Sequence, residues 1–258
     1  IPSSLPGARG STAVTTPPPN KVRIGGGYSP AQRRVETASV VAFFALGAWL
    51  VSRVALSLHG ATFPLVALVG VALGALASDF ISGFVHWGCD TWGSVDTPLL
   101  GKAFIRQFRE HHVDPEEICH HDFVEANGTN AMLSLLPLGL CLLAPLDPAA
   151  PTLARVLGHS FAVSMGVFVT LTSQCHQWAH LPDAPRAVKA LQRLGLVLTP
   201  RHHDVHHVAP HLGHYCITGG WLDAPLEAVD FWRRLERAIT RVTGAQPRAS
   251  EVTAPPAA

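Results

Sequence analysis

Residues 62 to 90 read TFPLVALVGVALGALASDFISGFVHWGCD. Up to Ser82 this is an apolar run as long as a bilayer core demands of a helix, roughly 20 residues, and Asp79 alone interrupts it. If the helix continues, His86 and Asp90 stand four apart and project from one side, a spacing that suits a shared metal or a histidine oriented by a carboxylate. A span running into ligand chemistry predicts a site at the membrane face. Asp79, costly inside an apolar run, invites a functional reading as well.

Three further windows have the same character: TASVVAFFALGAWLVSRVALS (37–57), AMLSLLPLGLCLLAPL (131–146) and TLARVLGHSFAVSMGVFVTLTSQ (152–174). Arg53 lies near the end of the first, where a long side chain can snorkel. The third is short and Pro137 is expected to kink it, so a buried or re-entrant helix is its other reading. Composition agrees, with 48% apolar and 14% charged residues, and a net charge of +1 gives no reason to expect nucleic acid. The expected architecture is all-α: an integral membrane four-helix bundle (spans about 37–57, 62–82, 131–146 and 152–174) with a cytoplasmic, histidine-rich helical metal-binding cap. Residues 1–36 and 244–258, rich in Pro, Gly, Ser, Thr and Ala, read as disordered tails around a membrane-embedded domain over 37–243. The apolar run near Val40 follows a long polar leader without a small-residue cleavage site, which favours a retained span over a signal peptide.

Four crossings put both ends and the segment 83–130 on one side. Arg33, Arg34, Lys102, Arg106, Arg109 and the arginines of the carboxyl end lie there, against Arg53 and Arg155 on the other. The positive-inside rule makes that side cytoplasmic. PLEAVDFWRRLERAITRV (225–242) reads as a final helix with Leu226, Val229, Leu235, Ile239 and Val242 on one side and Arg233, Arg234, Arg237 and Arg241 on the other. It either lies in the membrane interface or packs on the metal domain.

Thirteen of the fifteen histidines fall in three segments on that same side. His59 and His159 lie outside them and read as structural. FIRQFREHHVDPEEICHHDFVEANG supplies His111, His112, His120 and His121, and a helix followed by a turn at Pro115 could join His112 to His121. Glu110, Glu116, Glu117 and Glu125 are available carboxylates, Glu116 and Glu117 reading better as a solvated face. QCHQWAH carries His176 and His180 at i, i+4, a helical metal-binding spacing. Gln177 stands where the general base of an HExxH protease would be. RHHDVHHVAPHLGHYC (201–216) holds six histidines within thirteen residues, and on a helix His202 with His206 and His203 with His207 form two pairs on different faces. A flexible metal-binding tract is the bland alternative, which the interleaved Val205, Val208, Pro210 and Leu212 oppose. Cys89, Cys119, Cys141, Cys175 and Cys216 make an odd count without CxxC spacing and read as buried reduced thiols.

Zinc needs three or four ligands and does not cycle, whereas ten or more donors fit two ions with positions left open for oxygen. Iron therefore fits best, at a site fed with a lipid chain from the bilayer.

The runs DFISGFVHWGCDTWGS, FREHHVDPEEICHHDFVEANG, HQWAH and PRHHDVHHVAPHLGHYCITGGWLDAPLE, in this order over roughly residues 37–235, resemble the Kua/CarF-type family of lipid desaturases. The resemblance implies O2-dependent desaturation of a lipid chain by two iron ions, with electrons from a cytochrome b5 or ferredoxin-type donor. It further implies a plasmanylethanolamine desaturase activity, which turns an alkyl ether lipid into the vinyl ether of a plasmalogen. An acyl-lipid fatty acid desaturase or a lipid hydroxylase with the same di-iron site is the nearest alternative, and a zinc-stabilised non-enzymatic membrane protein or a metal transporter the remote ones. The implied metal ligands are His86, His111, His112, His121, His176, His180, His202, His203, His206 and His207, with Asp90 and His211 as further candidates. His120 stands where the family pattern expects an arginine, and the residues within QCHQWAH depart from its usual lysine and serine.

Overall fold

The computed structural model describes residues 28–98, 100, 101 and 105–248. Of the expected tails, residues 1–27 and 249–258 lie outside the described residues, as does Lys102 of the orienting cations. All regular structure among the described residues is helical: α1 (Pro30–Leu56), α2 (Thr62–Thr91), α3 (Arg106–His111), a 3-10 turn (Glu117–His120), α4 (Phe123–Leu143), α5 (Leu153–His180), α6 (Arg186–Arg193), α7 (Pro200–Asp204), α8 (Asp223–Ala228) and α9 (Phe231–Thr243). Four of these, α1, α2, α4 and α5, are long and apolar enough to cross a membrane. Their outward faces carry exposed Leu65, Leu68, Leu73, Leu136, Leu140 and Leu143, a surface that water would penalise and lipid accepts.

Local chemistry sets the helix ends. Ser29 accepts from the Gln32 N–H and Pro30 occupies the first turn, so α1 starts seven residues before its apolar run. Asp122 accepts the N–H groups of Val124 and Glu125, so α4 starts at Phe123 and takes in polar residues ahead of the expected window. α2 continues unbroken to Thr91, and α5 to His180. The expected final helix over 225–242 is instead two, because Asp230 adopts a left-handed conformation at φ 52° between α8 and α9. On α9, Leu235 and Ile239 pack with Trp232 against Phe80, Trp87 and Tyr215, while Val229 and Val242 remain exposed.

α5 is central, packed on α2 and α4 and more lightly on α1. α2 approaches it through glycine: a Cβ on Gly70 would lie 2.8 Å from the Ser160 Cβ, and one on Gly74 would lie 2.8 Å from the Ser164 Cβ and from the Met165 N. Ser164 uses the closeness to donate to the Val71 carbonyl at 2.7 Å. Small residues are how helices pack tightly where lipid tails are as apolar as leucine. Polar pairs tie α4 to α5, with Thr170 donating to Ser134 and Asn130 to Ser173, both at 3.0 Å. At the end away from the three histidine segments, the Arg53 guanidinium turns to the Leu146 carbonyl at 3.0 and 3.2 Å and Arg155 to that of Ala144 at 2.9 Å.

Candidate metal centre

The continued helices carry their histidines to one end of the bundle. α2 brings His86 and Asp90, α5 brings His176 and His180, the end of α3 brings His111 and His112, and α7 with the turn after it brings His203, His206 and His207. They form two groups. His111, His176, His180, His203 and His207 make one, and His86, Asp90, His112 and His206 the other, the donor atoms of each lying within 4.8 Å of one another.

In the five-histidine group, Nε2 of His203 lies 2.8 Å from that of His176 and 3.0 Å from that of His207, and Nε2 of His180 lies 3.0 Å from that of His111 and 3.2 Å from that of His176. Nitrogens at right angles around one ion at roughly 2.1 Å would be about 3.0 Å apart, so the spacing fits shared coordination. In the mixed group, Asp90 Oδ2 lies 3.3 to 3.6 Å from Nε2 of His86, His112 and His206, and the last two are 3.0 Å apart. His86 Nε2 and both Asp90 oxygens are buried without a hydrogen bond, an arrangement that a cation would compensate.

Backbone carbonyls aim these rings. His86 donates from Nδ1 to the Tyr215 carbonyl at 3.1 Å and His206 from Nδ1 to that of Gly213 at 2.7 Å, which leaves each Nε2 lone pair for the group. Burial, reinforced by the neighbouring imidazoles, lowers His111 and His112 to about 2 and His207 to about 3. The same causes push His203 well down. At neutral pH these rings are held in the uncharged form that binds metal.

Of the twelve residues expected from the sequence, nine lie in the two groups and His121, His202 and His211 lie outside them. His121 faces Glu125 at 3.6 Å and does not meet His112. α7 ends at Asp204, so the pair His202 and His206 does not form; His202 Nε2 instead meets Asp223 Oδ2 at 2.7 Å. His211 stacks on the His112 ring at 4.4 Å and donates from Nδ1 to the His206 carbonyl. Asp90 is the sole carboxylate in either group, and no cysteine belongs to them. Asp79 has an anchoring role: its oxygens accept the N–H groups of Gly219, Gly220 and Leu222 at 2.8 to 3.0 Å. Ser82 accepts the Ile217 N–H and Asp223 that of Cys216, completing the clamp on the loop behind the third histidine segment. Gln177 donates to the carbonyls of Ile118 and His121, fixing the second segment. Asp223 was not singled out from the sequence, although it stands in the run WLDAPLE; the one available signal was that this run places two acids, Asp223 and Glu227, close behind the third histidine segment.

Two of the four membrane-type helices, α2 and α5, run directly into two adjacent imidazole-rich donor sets, each of which could hold a metal ion, and this defines a membrane protein with a candidate metal centre at one end of its bundle. Residues 75–250 match the lipid desaturase domain. The chain is 46% identical over 227 residues to plasmanylethanolamine desaturase 1 of Mus musculus, covering 87% of this chain and 83% of that one. It is 46% identical over 228 residues to plasmanylethanolamine desaturase of Myxococcus xanthus, covering 88% and 79%. Fatty acid desaturase 4 of Arabidopsis thaliana chloroplasts is 32% identical over 184 residues, 70% of this chain and 54% of that one. No solved structure matches. The chain belongs to the lipid desaturase family, and it is accordingly an oxidoreductase.

Proposed function

We propose that this chain is a plasmanylethanolamine desaturase, which removes two hydrogens from the carbons next to the ether oxygen of an alkyl lipid and leaves the vinyl ether. The observation that carries the reading is the pair of adjacent donor sets at the bilayer end of α2 and α5, in a chain 46% identical to two proteins of that name over most of its length. Eight imidazoles and one carboxylate suit two iron ions. Iron held there supplies the redox cycling that O2 needs to attack an unactivated chain.

The chain's own residues supply the rest. His111, His176, His180, His203 and His207 would hold one ion, and His86, Asp90, His112 and His206 the other. The carbonyls of Tyr215 and Gly213 orient the rings, His202 steadies the loop through Asp223, and His211 and His121 act from outside the donor sets. The apolar span walls keep water off the reacting carbons. Both termini and the histidine cap face the cytoplasm, where a donor of cytochrome b5 or ferredoxin type delivers electrons. The membrane-embedded desaturase domain extends over residues 37–243.

The test is lipid mass spectrometry on a plasmalogen-free host fed an alkyl ether lipid, with and without this chain, paired with iron analysis of the purified protein. An acid-labile product two hydrogens lighter, with about two irons per chain, is the expected outcome. Iron with an untouched ether lipid and a desaturated or hydroxylated acyl chain assigns the acyl-lipid alternative. Zinc without lipid change overturns the enzyme reading.

A further inference from the structure

Between His180 on α5 and His203 on α7 the chain makes an excursion that carries no donor of either group. It consists of α6 and the turn after it. The protein holds α6 thinly, with Val188 its one buried residue. Gly195, left-handed at φ 66°, closes the helix and turns the chain back. Gln192 donates to the Trp178 carbonyl at 3.3 Å, near the end of α5, and the Trp221 indole donates to the Gly195 carbonyl at 2.6 Å. The same indole meets the Phe168 ring edge-on at 5.5 Å. Phe168 stands ten residues before Trp178, roughly 15 Å of helix, inside the apolar stretch of α5. The excursion is therefore a hairpin that runs back down the side of α5, and its tip at Gly195 reaches the depth of the spans.

Its side chains change along the way as a bilayer does. At the tip, Leu194 is 71% and Leu196 49% exposed, too much apolar surface to leave in water beside a lipid-facing helix. On α6 itself, Arg186, Lys189 and Arg193 follow one another at intervals of three and four, which places them on one face. Lys189 meets the fully exposed Asp183 at 3.4 Å, a surface pair of small worth. The guanidinium groups of Arg186 and Arg193 have no hydrogen bond or ion pair among the described residues. No acid occurs from residue 186 to residue 203. Leucines at the deep end and unopposed cations above them are the pattern of an interfacial element.

A soluble acidic partner could reach the cations but not a tip at the depth of Phe168, whereas a lipid leaflet meets both at once. The tip is also continuous, through Trp221 and Phe168, with the surface of a membrane-type helix. We infer that α6 and its turn are seated in the bilayer face at the histidine end, with Leu194 and Leu196 among acyl chains and Arg186, Lys189 and Arg193 on anionic head groups. The contact lies between two donor-bearing helices, so the leaflet steadies the chain on its way from α5 to α7. It holds whichever lipid chain is oxidised.

The test uses the full chain in phosphatidylcholine vesicles with and without phosphatidylserine. A bimane attached at Leu194→Cys should be quenched by nitroxides on the lipid acyl chains and spared by iodide in the water; Cys119, the half-buried native thiol, sets the background on the unaltered chain. Each cation on an anionic surface is worth about fivefold, so the α6 amides should exchange with deuterium roughly tenfold or more slowly when phosphatidylserine is present. Arg186→Gln, Lys189→Gln and Arg193→Gln combined should abolish that difference and leave the exchange of α5 as it was. Quenching by iodide puts the tip in water and overturns the proposal. Quenching by neither probe, which a covering protein would give, overturns it too. So does a phosphatidylserine effect that is absent from the unaltered chain or that survives in the triple variant. None of these readouts depends on turnover, so a chain that leaves ether lipids untouched removes the ether-lipid reading and not this one.

Discussion

His202 and His203 are neighbours in the chain, yet Nε2 of His203 lies 2.8 Å from that of His176 while Nε2 of His202 lies 2.7 Å from Asp223. Spacing marked both as ligands, because a continued helix would have paired His202 with His206; the short α7 sends the two rings to different partners. Substituting them separates the duties. His203→Ala should lower iron per chain and reduce turnover by more than the roughly 10- to 100-fold that losing an orienting partner of a ligand costs. His202→Ala should stay inside that range and keep both metals. Iron content and product mass measured side by side decide it, and equal metal loss in both variants would return His202 to the donor sets. Asp79 is the complementary case, legible in the sequence as an anomaly but not as an anchor, since its partners at Gly219, Gly220 and Leu222 are about 140 residues away. Asp79→Asn puts an amide donor against one of those N–H groups. It should destabilise the protein by about 1–3 kcal/mol and loosen the third histidine segment; faster iron loss to a chelator, with the protein still in the membrane, is the readout.

At the scale of the elements, apolar length was a dependable signal and the ends were not. The four spans were visible as windows of hydropathy, yet α1 and α4 start earlier because Ser29 and Asp122 cap them, and caps are single polar residues that a window averages away. The contact between α2 and α5 was likewise hidden, since Gly70 and Gly74 look unremarkable in a glycine-bearing apolar run until Ser160 and Ser164 lie opposite. Gly74→Leu should cost about 1–3 kcal/mol or more by overpacking this contact. Gly47→Leu in α1, where a Cβ meets nothing within 4 Å, should be silent. Thermal unfolding of both variants in detergent checks the pair, and equal midpoints would show that the small-residue contact does not hold the bundle.

For the whole molecule, the even number of spans puts both ends on one side of the membrane, and the proposal that this side is cytoplasmic is open to a direct test. The turn at His59 and the segment at Asp183 lie at opposite ends of the bundle, and the Asp183 side chain is fully exposed. His59→Cys should react with a membrane-impermeant maleimide on intact cells, and Asp183→Cys only after permeabilisation; four of the five native cysteines are buried, which keeps the background low. The opposite pattern would invert the cytoplasmic assignment. That both metal groups share one end was legible from chain order alone, whereas their division into five and four donors was not, because it depends on the turn after α7 and on contacts far apart in sequence. Finally, α2 and α5 each cross the bundle and deliver donors without an intervening loop, and glycine locks the two together. They behave as a ruler fixed to the reactive centre: a host bilayer of different thickness would tilt both rods as a unit. The geometry of the donor sets would then survive unchanged while their depth, and hence their register along a lipid chain, shifted with the membrane.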